Sequence, residues 1–278
     1  MPYVQSDGAR LYYEEAGSGT PIVFVHEFSG DLWSWEKQIQ HFSRRYQCVA
    51  FNARGYPPSD VPTSPENYSH SQAVDDVAEV MRHLRLDMAH VVDCSMGSRT
   101  ALDFALRYPH MAMSVTMIGI GSDPRQADFE EKAEARAKLY EEGGLTEVLN
   151  GLCEAPNRVQ LKRKNPRAFA EFCQRFMKHS AQGNAFVTRH VMARRPSLFS
   201  MDKDLTAMKV PGLVVVGDED GAAVEAGLFL KQVSPAIRLA VAPATGHLVN
   251  LEEPDLMHRL TEDFFALVES KAWRQRGM

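Results

Sequence analysis

Six short apolar runs, with helical patterns between them, limit the fold of this chain more than any other feature. They are TPIVFVHEF (20–28), QCVAFNA (47–53), AHVVDC (89–94), MSVTMIGIG (113–121), PGLVVVGD (211–218) and IRLAVAP (237–243). Each is rich in Val, Ile or Phe and is bounded by Gly, Pro or Asp, as expected of strands buried on both faces. Helical spacing of apolar residues fills the gaps at about 34–44, 71–84, 96–108, 222–232 and 253–270. Strands covered on both faces and joined by helices predict a mostly parallel sheet with right-handed crossovers. The opening YVQSDGARLYYEEAG predicts an antiparallel hairpin at one edge.

One stretch breaks the alternation. From 122 to about 204 no strand pattern occurs, only helical ones such as FEEKAEARAKLYEEG and NPRAFAEFCQRFMKH. The expected organisation is an α/β core in two parts, 1–121 and 205–278, with 122–204 inserted as an all-helical lid over the C-terminal edge of the sheet, where open α/β sheets bind ligands. Extra packing helices on one face are the alternative. Between Pro156 and Arg195 the insertion carries ten Lys or Arg against Glu171 alone. These cations, from Arg158 to Arg195, form a solvated face, or one or two of them reach inward to bind a substrate carboxylate. Phe169, Phe172, Phe176, Phe186 and Met192 fall at helical spacings and line either an apolar pocket or ordinary core.

The stretch VVDCSMGSRTALDFALRYP (91–109) carries the chemistry. A strand running into Ser-x-Gly and then a helix makes a tight turn that exposes the Ser95 hydroxyl near the positive end of the helix. Gly97 meets the need for a small residue where strand and helix crowd. Asp93 does not meet the same need on the strand side. The plain alternative is that Ser95 caps the helix. A frame with Cys94 as nucleophile puts Val92 and Met96 in the small positions and fits worse. Serine needs a base, and the base an orienting acid. GDED (217–220) and ATGHLVNLEEP (244–254) follow the last two strands, on the same sheet edge as Ser95, and His247 in that polar loop is poorly explained as a core histidine.

Ser, Asp and His in this order and context make the chain resemble the α/β-hydrolase family over essentially its whole length, most nearly enol-lactonases and small lidded carboxylesterases. The resemblance implies an eight-stranded, mostly parallel sheet flanked by helices. It makes Ser95 the nucleophile, His247 the general base and acid, and Asp220 the acid. Asp218 then shapes the turn. In some relatives the acid follows the preceding core strand, which would point to Asp123. The backbone N–H groups of Phe28 and Met96 are expected to form the oxyanion hole, with His26 and Glu27 on the substrate side. Glu27 stands where the family usually has glycine. Its side chain is expected to turn outward or to pair with Arg54 or another cation; otherwise it signals altered chemistry. The loop FNARGYPPSDVP matches the family's Arg-Gly-x-Gly-x-Ser pattern, in which Arg54 holds neighbouring loops and Ser59 and Asp60 shape the turn. Glu252, Glu253 and Pro254 are expected in the first turn of the last helix.

The expected activity is hydrolysis of a small carboxylic ester or lactone, with an anionic substrate suggested by the basic insertion. Cofactor-free C–C bond hydrolysis or perhydrolysis would use the same triad, and a non-catalytic ligand-binding member of the fold is a further alternative. Relatives that open epoxides or remove halide are expected to carry aspartate where Ser95 stands. No metal or organic cofactor is implied. A net charge of -5 argues against nucleic acid or an anionic membrane as partner. No basic-then-apolar leader, no apolar run of about 20 residues and four dispersed cysteines without a C-x-x-C pair predict a reduced, cytoplasmic protein.

Overall fold

A computed structural model describes residues 2–121 and 129–276. The hairpin β1 (Tyr3–Ser6) and β2 (Ala9–Ala16) turns at Asp7 and Gly8, both in the positive-φ region that a tight turn demands. The six apolar runs become β3 (Thr20–Val25), β4 (Tyr46–Phe51), β5 (Ala89–Cys94), β6 (Ala112–Ile118), β7 (Gly212–Gly217) and β8 (Ile237–Ala242). Their order across the single eight-stranded sheet is β1-β2-β4-β3-β5-β6-β7-β8. Strands β3 to β8 pair in parallel, while β1 and β2 run antiparallel to their neighbours at one edge.

Alternation along each strand separates two cores. Val23, Val25, Val91, Val115 and Met117 face one side. Ile22, Phe24, Cys48, Val92 and Ile118 face the other. The second side is closed by α1 (Glu36–Phe42), which follows a single 3-10 turn at Leu32–Trp35, through Phe42. The first side is closed by α2 (His70–His83) and α3 (Met96–Arg107). Helix α2 starts where the Ser69 hydroxyl accepts the Gln72 N–H at 3.0 Å, and it buries Val74, Val77, Ala78 and Met81.

Between β6 and β7 the described residues contain helices and no strand. They are α4 (Phe129–Glu154), interrupted at Gly144 where φ is +70°, α5 (Val159–Lys164), α6 (Pro166–Phe176), α7 (Ala181–Phe186) running into a π-turn at Val187–Met192, and α8 (Asp202–Ala207). Asn165 and Pro166 fix the start of α6: the Asn165 side chain accepts the Ala168 N–H at 3.0 Å, and proline has no N–H to leave unpaired. Three further helices, α9 (Gly221–Val233), the short α10 (Val249–Glu252) and α11 (Pro254–Glu269), complete the layers. Phe176, Val187 and Met192 from the helical segment form a third apolar cluster with Phe28, Tyr56 and Met96, whereas Phe172 joins the core facing α1 and α11. Met192 and Phe176 are therefore packed against the sheet edge that carries the candidate site. Among the described residues no helix is long and apolar enough to cross a membrane.

Candidate active site

Ser95 stands at the first position before α3, with φ +53° and ψ -108°, a conformation that costs a non-glycine residue of order 1–3 kcal/mol. Its side chain makes no capping hydrogen bond. The plain helix-cap reading is thereby overturned, because the hydroxyl donates instead to His247 Nε2 at 2.8 Å. The turn is held by the Ser95 N–H donating to the Ile118 carbonyl at 2.7 Å. A Cβ on Gly97 would lie 2.6 Å from the Val25 carbonyl oxygen and 2.9 Å from that of His26, so only glycine fits between α3 and the end of β3.

His247 Nδ1 donates to the Asp220 carboxylate in a short hydrogen bond. Burial opposes ionisation of Asp220, but the hydrogen bond and charge of His247 outweigh it and hold the carboxyl below its usual range. Asn157, between α4 and α5, buttresses both partners: its carbonyl accepts the His247 N–H at 2.7 Å, and its amide reaches Asp220 Oδ1 at 3.4 Å. Gly119, at φ +60°, leaves room for the imidazole; a Cβ there would meet the His247 carbonyl at 2.8 Å and its ring at 3.3 Å. Asp218 is exposed and accepts the Thr245 N–H at 3.0 Å, shaping the turn as expected. Asp123 lies outside the described residues. Cys94 is buried, and burial pushes its thiol well above its ordinary value, which disfavours the reactive thiolate.

The residues expected around the oxyanion depart further from the sequence reading. Phe28 and Met96 both sit at the site, 6 % and 5 % exposed, and among the described residues neither N–H has a hydrogen-bond partner. His26 does not face substrate. It is buried, its Nδ1 donates to the Glu27 carbonyl at 2.7 Å, and its Nε2 accepts the Ala53 N–H at 3.0 Å, so both nitrogens tie β3 to the loop after β4. Burial lowers its pKa to about 4 and keeps it neutral. Glu27 does not turn outward either. It is 2 % exposed, accepts from the Ser29 hydroxyl at 2.8 Å and pairs with Arg158 at 3.2 Å. Arg54 is not its partner, being committed to Asp76 at 2.7 Å and to the Asn67 carbonyl at 2.7 Å.

Two features escaped the sequence. Glu252 is not simply a first-turn acid of the last helix; it ends α10 and folds back to accept the Gly246 N–H at 2.8 Å. Asp93 is fully buried, with neither carboxylate oxygen in a formed hydrogen bond, while the nearby Ser98 hydroxyl donates to the Ile118 carbonyl at 2.9 Å. Burial raises its pKa well above the carboxylate range, so Asp93 is a neutral acid under α3. That is how a residue larger than glycine is tolerated there without a buried charge.

A hydroxyl, an imidazole and a carboxylate stand in line just beyond the C-terminal ends of β5, β8 and β7, at one edge of the sheet. A family model of the alpha/beta hydrolase fold matches residues 20–254, and the chain belongs to that family. It is 25% identical over 285 residues to epoxide hydrolase 1 of Caenorhabditis elegans, covering 94% of this chain and 69% of that one. It is 24% identical to 3-oxoadipate enol-lactonase 1 of Acinetobacter baylyi, covering 89% of each. The enol-lactonase structure from Burkholderia xenovorans LB400 superposes with a TM-score of 0.84 at 22% identity, covering 95% of this chain and 100% of that one. These relatives are hydrolases, and hydrolysis is the coarse activity the family assigns to this chain.

Proposed function

We propose that the protein is a serine hydrolase that cleaves a small carboxylic ester or lactone through an acyl-enzyme on Ser95, with Asp220 and His247 completing the triad. The observation that carries this is the 2.8 Å hydrogen bond from Ser95 Oγ to His247 Nε2, with Asp220 behind the ring. His247 takes the Ser95 proton as Oγ attacks the carbonyl carbon, and the Phe28 and Met96 N–H groups receive the oxyanion. Collapse breaks the ester bond, and the His247 proton passes to the leaving alkoxide. A water, deprotonated by His247, then attacks the acyl carbon and releases the acid and free Ser95. The enol-lactonase relative supports this choice of bond, whereas serine at position 95 speaks against the epoxide chemistry named for the other relative.

The helical segment acts as the lid in this reading, contributing Asn157 and Arg158 to the walls of the site. The expected setting is the cytoplasm, where Cys48, Cys94, Cys153 and Cys173 stay free thiols.

A fluorophosphonate probe should label Ser95 in the folded protein. Hydrolysis of short p-nitrophenyl esters should fall by roughly three to six decades in Ser95→Ala and in His247→Ala. A folded protein that neither labels nor hydrolyses any such ester would instead be a ligand-binding member of the fold.

A further inference from the structure

Five polar atoms near the oxyanion residues lack a formed hydrogen bond: Glu27 Oε1, Arg158 Nη1, Tyr140 OH, Asn184 Oδ1 and His179 Nε2. Tyr140, Asn184 and His179 are 1 %, 0 % and 9 % exposed. All of them except Glu27 come from the helical segment. The Tyr140 ring lies 6.0 Å from that of Phe28. The His179 ring lies 5.2 Å from that of Tyr56, whose hydroxyl donates to the Phe28 carbonyl at 2.9 Å. Each buried, unmatched group costs about 1–3 kcal/mol. A fold that gathers several of them around Phe28 leaves them to be matched by what binds there.

Their chemistry fixes the complement. Asn184 Nδ2 donates to His179 Nδ1 at 3.4 Å, so His179 Nε2 carries the hydrogen and donates. The Asn184 side chain approaches the Tyr140 hydroxyl without a well-formed hydrogen bond between them, which leaves the hydroxyl to donate and Asn184 Oδ1 to accept. A substrate hydroxyl can satisfy both kinds of partner, and a carbonyl oxygen satisfies the donors. The wall also carries no net charge. Arg158 is the one cation of the basic stretch that reaches Glu27, and that carboxylate already neutralises it. Burial, with a smaller contribution from His26, lowers the His179 pKa to about 3, so the ring is neutral. Burial likewise raises the Tyr140 hydroxyl pKa far above neutrality. Arg136, which also acts on Tyr140, is exposed to solvent.

We propose that Tyr140, Asn184 and His179 form a recognition wall for an uncharged ester or lactone that bears a hydroxyl or carbonyl oxygen, and that the Glu27–Arg158 pair keeps this wall neutral and so disfavours substrates with a carboxylate. The proposal rests on the hydrolase function above and names its substrate class. The basic surface of the segment is spent elsewhere: Lys164 pairs with Glu253, and Arg189 with Glu134 and Glu141.

The test uses two ester series that differ only in one terminal group, methyl, hydroxymethyl or carboxylate, placed in the acyl half or in the alcohol half. In one of the two series, kcat/KM should favour hydroxymethyl over methyl by at least about tenfold, with the carboxylate probe slowest. In Tyr140→Phe the hydroxymethyl-to-methyl ratio should fall towards one. Glu27→Gln, which leaves Arg158 uncompensated, should raise the carboxylate-to-methyl ratio about tenfold, and it carries the test by itself where Tyr140→Phe folds poorly. Equal rates across both series, or a carboxylate probe fastest in the unsubstituted protein, would overturn the recognition wall and leave the hydrolase function standing. No hydrolysis of any probe, with no fluorophosphonate labelling of Ser95, would overturn both.

Discussion

The Glu252 carboxylate turns back over His247 and accepts the N–H groups on either side of it, Gly246 at 2.8 Å and Leu248 at 3.3 Å. Burial raises the Glu252 pKa, and the two N–H groups only partly offset that. In Glu252→Ala both amides lose their partner and the imidazole its fixed approach to Ser95. We expect kcat to fall about tenfold or more with a smaller change in KM, since orientation of the base counts most in the transition state. Glu252→Gln keeps one accepting oxygen and should lie between; equal kcat in all three proteins would remove Glu252 from the positioning of the base.

Gly97→Ala forces a methyl group against two backbone carbonyls, those of Val25 and His26, which cannot rotate away. The expected cost is about 1–3 kcal/mol of stability. Because the Met96 amide precedes this contact, fluorophosphonate labelling of Ser95 should slow as well. Thermal melts and labelling rates check both; an unchanged melt would mean that the strand-to-helix turn at Ser95 is looser than its geometry.

Arg54 and Asp76 are each 2 % exposed and joined by two hydrogen bonds, at 2.8 Å and 2.7 Å. Arg54→Met leaves the Asp76 charge buried without its cation, for which about 3–5 kcal/mol is the usual penalty. A shifted denaturant midpoint with nearly normal kcat in the surviving folded fraction is the outcome expected of a residue that holds loops and touches no substrate.

Acid should unfold the protein early. Burial lowers the pKa of His26 to about 4 and of His90 to about 3, and burial together with His26 lowers that of His179 to about 3. The unfolded chain takes up protons on these rings near the ordinary histidine value, about 6.5, while the folded chain refuses them. Stability is therefore full above about pH 6.5 and falls as the pH drops toward 4, by about 1.4 kcal/mol per proton and pH unit. Three such rings give a slope approaching about 4 kcal/mol per pH unit once all are protonated in the unfolded state, and the neutral Asp93, which the unfolded chain ionises, offsets about 1.4 kcal/mol per pH unit of it. Asp220, held below the usual range, adds a loss of the same sign at still lower pH. Urea midpoints flat from pH 7 to 5 would contradict neutral burial of these histidines.

The sheet was legible because its central strands are buried on both faces, so VFV, VVVG and AHVV stand out without any tertiary context, whereas the edge strand β8 is half-exposed, with Val241 at 50 %, and does not meet that expectation. The hairpin was legible in YVQSDGARLYYEEAG, whose Asp7 and Gly8 take the positive φ of its turn, and the strand-to-helix turn in Ser95 and Gly97, because that conformation tolerates few residues. Glu27 was legible only as an anomaly. Its partner Arg158 is 131 positions away, and no local pattern distinguishes that arginine from the nine other cations around it. Glu252 misled for the opposite reason: an acid near the start of a helix has a sufficient local explanation, and its bond to Gly246 depends on how the His247 loop bends. Cys153 and Cys173, 20 positions apart, show the same limit. Their sulfurs lie 3.7 Å apart because α4 and α6 pack together, which spacing along the chain does not reveal.

The short turn around Asn157 and Arg158 has a mechanical consequence. It grips His247 and Asp220 with one residue and Glu27 with the next, so it belongs to the fixed frame although it sits within a segment otherwise free to differ from the sheet. A hinge that swung this turn outward would strip the imidazole of its support at the moment a guest arrived. Any passage the reactants use must leave that corner shut if Ser95 and His247 are to stay aligned.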